Sequence, residues 1–189
     1  MCSSRSNARA GAFLLLLIGT SPAQSSETST LQAITEFLAE YSQITDAGEG
    51  HGSETLSTHL VTGDDAPALV YERTVYDSDR DREPTSRQII HYPCEFTTLD
   101  SESVEVISWK GFRSRETFWV VTLRTILETD YLDYTNVVET RTPDGAIDVT
   151  TSRGRVNNLA LGYFRTEATA RRLAQLVQQL FEESGVTSG

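Results

Sequence analysis

The residues that most constrain this chain lie near its end. Val156 to Ser184 reads as one strand (VNNLALGYF), a turn at Arg165-Thr166, and one long helix (TEATARRLAQLVQQLFEES). Ala170, Leu173, Ala174, Val177, Leu180 and Phe181 recur at steps of three and four, so they share one face of that helix. Arg171, Arg172, Gln175, Gln178, Gln179, Glu182 and Glu183 take the opposite side. Thr166 is placed to cap the first turn, Glu167 suits its positive end, and Gly185 is a natural stop. The other charges oppose the helix dipole, with arginines in the first half and glutamates in the last turn, at about 0.3–1 kcal/mol each. Burial of four large apolar side chains, at roughly 1.5–3 kcal/mol each, outweighs that. Packing against an apolar sheet must hold this helix.

The sequence before it supplies such a sheet. From Ser53 to Phe164 the apolar period falls from 3.6 to 2, with β-branched and aromatic residues dominant. Strands are predicted over 69–76, 87–96, 104–109, 117–127, 135–141, 146–151 and 156–164, with 55–61 a weaker one. Thr142-Pro143-Asp144-Gly145 is a turn signal that makes its flanking strands a hairpin. In the strand from Thr117, Trp119, Val121, Leu123 and Leu127 point one way and are expected to meet the C-terminal helix. Phe118, Val120, Thr122, Arg124 and Ile126 form a mixed face expected to be partly wet. Trp109 and Trp119 are read as core or core-edge residues.

Ahead of the strands, Ser29 to Asp46 is predicted as a first helix, with Leu31, Ile34, Leu38 and Tyr41 on its stripe, Phe37 and Ile44 widening it, and Ser29 and Gln32 at capping-box spacing. Gly48-Glu49-Gly50-His51-Gly52 follows a helix and opens strands, the reverse of a nucleotide-binding glycine loop, and is read as a helix stop and flexible linker. The expected class is therefore α+β: a curved antiparallel sheet or open barrel of about seven strands, with an N-terminal and a long C-terminal helix packed on it. The predicted organisation is a leader over 1–23, a helix and linker over 24–52, one domain over 53–184 and a disordered tail over 185–189. Residues 24–28 are expected to be disordered as well.

The leader is read from Arg5 and Arg9, the apolar run Gly11 to Ile18, and the small residues Ser21-Pro22-Ala23, the pattern of an export signal. The run is far short of the ~20 residues that span a bilayer. Export to periplasm or medium is expected, with no transmembrane segment after cleavage. Residues 1–23 hold two arginines and no acid, so the remaining 166 residues carry 14 cations against 27 acids, a net −13. That balance disfavours nucleic acid, or an anionic membrane held by bulk electrostatics. Cys94 is then the one cysteine left, so no internal disulfide forms, and it reads as a small buried apolar residue.

The chain from Thr55 to Glu183, with antiparallel strands followed by one closing amphipathic helix, resembles the pleckstrin-homology-like superfold. The run LALGYFRTEATARRLAQLVQQLFEE is similar to the closing strand and helix of that fold. Several members bind phosphoinositides through a basic first hairpin; here the matching loop, Asp77 to Glu83, is mainly acidic, so that activity is not implied. Lipocalin-like carriers are the second resemblance, but the Gly-x-Trp pattern of that family is missing.

Three stretches invite chemistry. Asp77, Asp79, Asp81 and Glu83 alternate like the opening of a calcium loop, but Arg82 stands where glycine is needed and Gln88 where a bidentate glutamate belongs. A solvated hairpin tip is the plainer reading, with Asp77, Asp79 and Asp81 as the metal candidates. His91 and Cys94 are spaced like zinc ligands, yet face opposite sides of a regular strand and lack two further ligands; His51 and His59 are the other histidines. Asp130, Tyr131, Asp133 and Tyr134 interleave acids with aromatics and suit a cationic or sugar-like partner, against the alternative of a surface turn. No Gly-x-Ser-x-Gly elbow and no HExxH helix occurs, and no cofactor is implied. The functional expectation is an exported, non-catalytic binding domain for a protein, an envelope component or a small apolar ligand. The alternatives are a lipocalin-like carrier, with its ligand between the helices and the curved sheet, and a hydrolase with an acidic site.

Overall fold

Strict alternation of burial along Ser53–Val61, with Glu54, Leu56, Thr58 and Leu60 inward, shows a strand that is dry on one side only. It belongs to a computed structural model that describes residues 22–62, 67–78, 81–93, 96–126 and 132–185. Among these residues the order is α1 (Pro22–Tyr41), β1 (Gln43–Ala47), β2 (Ser53–Val61), β3 (Ala68–Tyr76), β4 (Ser86–Pro93), β5 (Glu105–Lys110), β6 (Thr117–Arg124), β7 (Leu132–Arg141), β8 (Ile147–Val156), β9 (Asn158–Phe164) and α2 (Glu167–Glu183). The class is α+β with antiparallel pairing throughout. Among the described residues nine strands lie in two sheets, β1-β2-β3-β4-β7-β8 and β5-β6-β9, neither closed into a barrel. Among the described residues no helix is long and apolar enough to cross a membrane.

The C-terminal helix packs as its stripe demands. Ala170, Leu173, Ala174, Val177, Leu180 and Phe181 are all buried, joined in one core by Val121 and Leu123 of β6, Leu159, Leu161 and Phe164 of β9, and Ile34, Phe37 and Leu38 of α1. Thr166 caps the helix by accepting from the Thr169 N–H, and Gly185 takes the left-handed turn after it. The two arginines near the start of α2 find local partners. Arg171 bonds Glu167 one turn back, and Arg172 lies over the Phe37 ring at 5.7 Å.

A β-bulge opposite Val121/Thr122 puts the β9 side chains where the core needs them. A regular strand would set Leu161 and Phe164 on opposite faces. The extra residue turns both inward and leaves Ala160 and Tyr163 facing the larger sheet.

Two expectations about the start of the domain are corrected. The first helix is Pro22–Tyr41, not Ser29 to Asp46, and residues 24–28 lie within it rather than in disorder. Ser29 and Gln32 are therefore interior and form no capping box; Gln32 bonds Glu36 instead. Ile44 fits the helical stripe by count, but Ser42 ends the helix and Gln43-Ile44-Thr45 pairs with β2, Ile44 opposite Leu56. The glycine run is accordingly no linker but the tight turn of the β1–β2 hairpin, with Gly50 and Gly52 at φ 72° and 68°.

The outer face of β6 is also drier than expected. Phe118 and Val120 are buried, because the larger sheet covers that side: Phe118 packs with Ile44 and Leu56, beside Tyr71, Trp109 and Tyr163. The small sheet is thus a middle layer, with α2 on one face and β1–β3 on the other. Leu127 and Cys94 lie outside the described residues.

Candidate ligand-binding cleft

The inward face of the larger sheet continues past its covered part. Register places Thr58, Tyr71, Ile90, Asn136 and Ser152 in one cross-strand row, and Leu56, Arg73, Gln88, Val138 and Thr150 in the next. The first residues of each row are buried against the small sheet. Those of β4, β7 and β8 extend beyond it.

Where the two sheets part, a cleft of about 280 Å³ opens between Tyr71, Gln88, Ile90 and Tyr92 on one side and Ala160 and Tyr163 on the other. Its lining carries no formal charge. The Tyr71 and Tyr163 rings stand 5.8 Å apart, Tyr163 meets Trp109 at 6.2 Å, and Tyr92 meets Tyr134 at 5.7 Å. Four of the seven tyrosines therefore gather along one seam. Gly154 makes room for the last of them: a Cβ there would stand 2.5 Å from the Tyr134 ring. On the floor, the Gln88 amide donates to Asn136 Oδ1 at 3.1 Å.

Burial, and secondarily the charges of neighbouring groups, push the phenols of Tyr71, Tyr92 and Tyr163 above their ordinary value. They stay neutral donor-acceptors across the physiological range. At the deep end, Glu54 is locked to Arg73 by two bonds of 2.7 and 3.2 Å. Asp46, its neighbour across the β1–β2 ladder, is wholly buried and accepts the N–H groups of Arg113 and Ser114 at 2.9 and 2.7 Å. Each of these inward acids is engaged by a structural partner.

The sites expected from sequence are distributed differently. Asp77 lies 3.8 Å from Arg113, Asp81 accepts from the Ser78 N–H, and Asp79 lies outside the described residues. His91 is exposed on β4. Among the described residues no three His, Cys, Asp or Glu side chains come together as a metal site. Asp130 and Tyr131 also lie outside the described residues. Asp133 and Tyr134 are in strand β7 rather than a turn, so they face opposite sides of the sheet. Asp133 pairs with Arg155 at 3.0 Å, while Tyr134 joins the tyrosine seam. Tyr71, Tyr92 and Tyr163 were not singled out in the sequence. Tyr71 shares an alternation step with buried Leu69 and Val75, but β4 buries no side chain beside Tyr92, and the bulge sets Tyr163 off the face that its spacing from Leu159 and Leu161 implies.

No protein-family model matches this chain, and neither a curated protein nor a solved structure matches it significantly.

Proposed function

We propose that this is an exported, non-catalytic binding domain whose ligand is a neutral, hydroxyl- or amide-bearing molecule of saccharide type, held in the tyrosine cleft. The observation that carries the reading is the convergence of Tyr71, Tyr92 and Tyr163 on an uncharged, half-open cleft floored by a Gln88–Asn136 amide pair. Aromatic faces stack on the apolar side of a sugar ring, while phenols and amides bond its hydroxyls. The size, about 280 Å³, is at the lower end for ligand pockets and suits a ring or two rather than a long chain. The export signal read over residues 1–23 supports an envelope or extracellular source for such a ligand. The succession of antiparallel strands and one closing helix is what supports a pleckstrin-homology-like ancestry.

The carrier reading finds less support, because side chains of α1, α2, β6 and β9 fill the volume beneath α2. The test is a titration of the mature protein with chitotriose, maltotriose and oleate, read by the emission of Trp109 beside Tyr163 and by native mass spectrometry. Saturable binding of a saccharide, abolished by Gln88→Ala in a protein whose melt is little changed, is the expected outcome. Binding of oleate alone would hand the cleft to the carrier reading.

A further inference from the structure

A second concavity lies at the edge of the molecule, and its chemistry is the opposite of the cleft's. His51 in the β1–β2 turn and Phe112, Arg113 and Arg115 in the β5–β6 loop line a hollow of about 380 Å³. Cations and an aromatic ring there stand out on a chain of net charge −11.

The loop is held in shape from beneath. Asp46 receives the N–H groups of Arg113 and Ser114, and the loop closes through Gly111 N–H donating to the Glu116 carbonyl at 2.8 Å. Neither Gly111 nor Gly48 has space for a side chain: an added Cβ would stand 2.6 Å from Asp46 Oδ1 and 2.5 Å from the Arg113 carbonyl. On this support Phe112 is 78% exposed, the most exposed large apolar side chain among the described residues. Arg115 adopts φ 63°, the one positive φ at a non-glycine position described, and its guanidinium lies 6.0 Å from the centre of the Phe112 ring.

The described acids nearby leave Arg115 free of an ion pair. Glu116 faces Arg165 at 3.6 Å, and Asp77 lies 3.8 Å from the outer edge of Arg113. Arg113 also donates to the His51 carbonyl, yet its Nε is enclosed with no partner. Among the described residues no carboxylate pairs with Arg115.

We propose that this hollow is an oxyanion site, taking a phosphate or carboxylate group carried on an aromatic or apolar body. The Arg115 guanidinium supplies charge-assisted donors for the anion, Arg113 adds positive charge in the wall, and Phe112 supplies a face for the body. A rigid loop presenting an unburied ring beside two arginines is preorganised for such a ligand rather than assembled by it.

The test uses the mature chain and phenyl phosphate, with inorganic phosphate and benzoate as comparators, followed by amide chemical shifts of residues 51 and 111–116. Phenyl phosphate should bind saturably, about tenfold more tightly than inorganic phosphate, and more weakly as salt rises. Arg115→Gly removes the cation while suiting the left-handed backbone, so it keeps the fold and should weaken binding about tenfold. Phe112→Ala should erase the preference for the aryl compound. A second arm sediments the protein with phosphatidylglycerol or phosphatidylcholine vesicles. Sedimentation with the first alone, lost in Arg115→Gly, supports the same site with a lipid headgroup as its source. No loop shifts with any small anion and no vesicle binding would overturn the proposal, as would equal binding by wild type and Arg115→Gly.

Discussion

The two halves of the six-stranded sheet share one hydrogen-bonded ladder but not one environment. In β2 and β3, seven side chains are buried; β4 and β8 bury none, and β7 only Leu132. The first half is covered by the small sheet and α1. The second is held by its pairing and by cross-strand contacts such as Arg155 with Asp133. Where no layer packs, side chains are released from the demands of a core, and there the tyrosine seam opens. Burial therefore dominates at the β2–β3 end of each cross-strand row, and the cleft proposed for binding opens where that cover ends.

The strongest way to break this comparison is a charge in the covered part. Leu123 is fully buried between β6 and α2, while Arg124 beside it is exposed. Leu123→Asp should cost about 5 kcal/mol or more, combining lost burial with an unpaired inward charge, and leave the chain unfolded. Arg124→Asp should stay within about 1 kcal/mol of wild type. Thermal melts decide it; equal transitions would refute the layer assignment.

Two glycines sharpen the contrast at smaller scale. A methyl at Gly162 would press to 2.8 Å on the Phe164 ring and 2.9 Å on Ser42 Oγ, both buried. Gly162→Ala should cost about 1–3 kcal/mol. A methyl at Gly154 meets the Tyr134 ring even more closely, at 2.5 Å, but that ring is half-buried and can swing outward. Gly154→Ala should cost less than about 1 kcal/mol and act instead on the Tyr92–Tyr134 contact. Similar losses of melting temperature would mean that the outer half is packed after all.

How much of this was legible depended on the range of the interaction. The α2 stripe, the Thr142–Gly145 hairpin and most strands follow from local periodicity, and the structure has them. Ile44 misled, because it satisfies a helical and a strand period at once, and only its pairing opposite Leu56 decides between them. The dry side of β6 was illegible for a related reason: a strand's own alternation cannot say that a second sheet covers its other face. The cleft was hidden further still. Tyr71, Tyr92 and Tyr163 meet across β3, β4 and β9, and the bulge that aims Tyr163 leaves a single residue's phase shift in the sequence. Asp46 read as the end of a helix, and its function as the floor of the β5–β6 loop needs a partner 67 residues away.

That carboxyl gives the next prediction. Burial would raise the Asp46 pKa, but bonds from the Ser114 hydroxyl and the N–H groups of Arg113, Ser114 and Phe112 outweigh it and hold the carboxyl below its ordinary 3.8. A group lowered on folding stabilises the protein above its unfolded value, and that contribution is lost as the pH falls from there through the lower folded one. Asp46→Asn should cost about 1–3 kcal/mol at neutral pH and flatten the acid limb of the stability curve below about pH 4. Urea melts from neutral to acid pH measure both, and an unchanged acid limb would show that other carboxylates set it.

The smallest effect at neutral pH concerns the seam itself. Tyr71, Tyr92 and Tyr163 are raised from 10.0, chiefly by burial, so the neutral phenol is the form that the fold prefers. Stability tied to these groups is complete below 10.0 and is lost as the pH rises from there through their higher folded values. Tyr71→Phe keeps the ring and removes the ionisation, so it should change the neutral melt by less than about 1 kcal/mol yet resist alkali better than wild type. Ultraviolet titration of the native chain should show these three phenols ionising late, and together with unfolding. If all seven tyrosines ionised together near 10, the seam would be wet to its base. It would then lack the desolvated wall that distinguishes a binding cleft from a gap between two sheets.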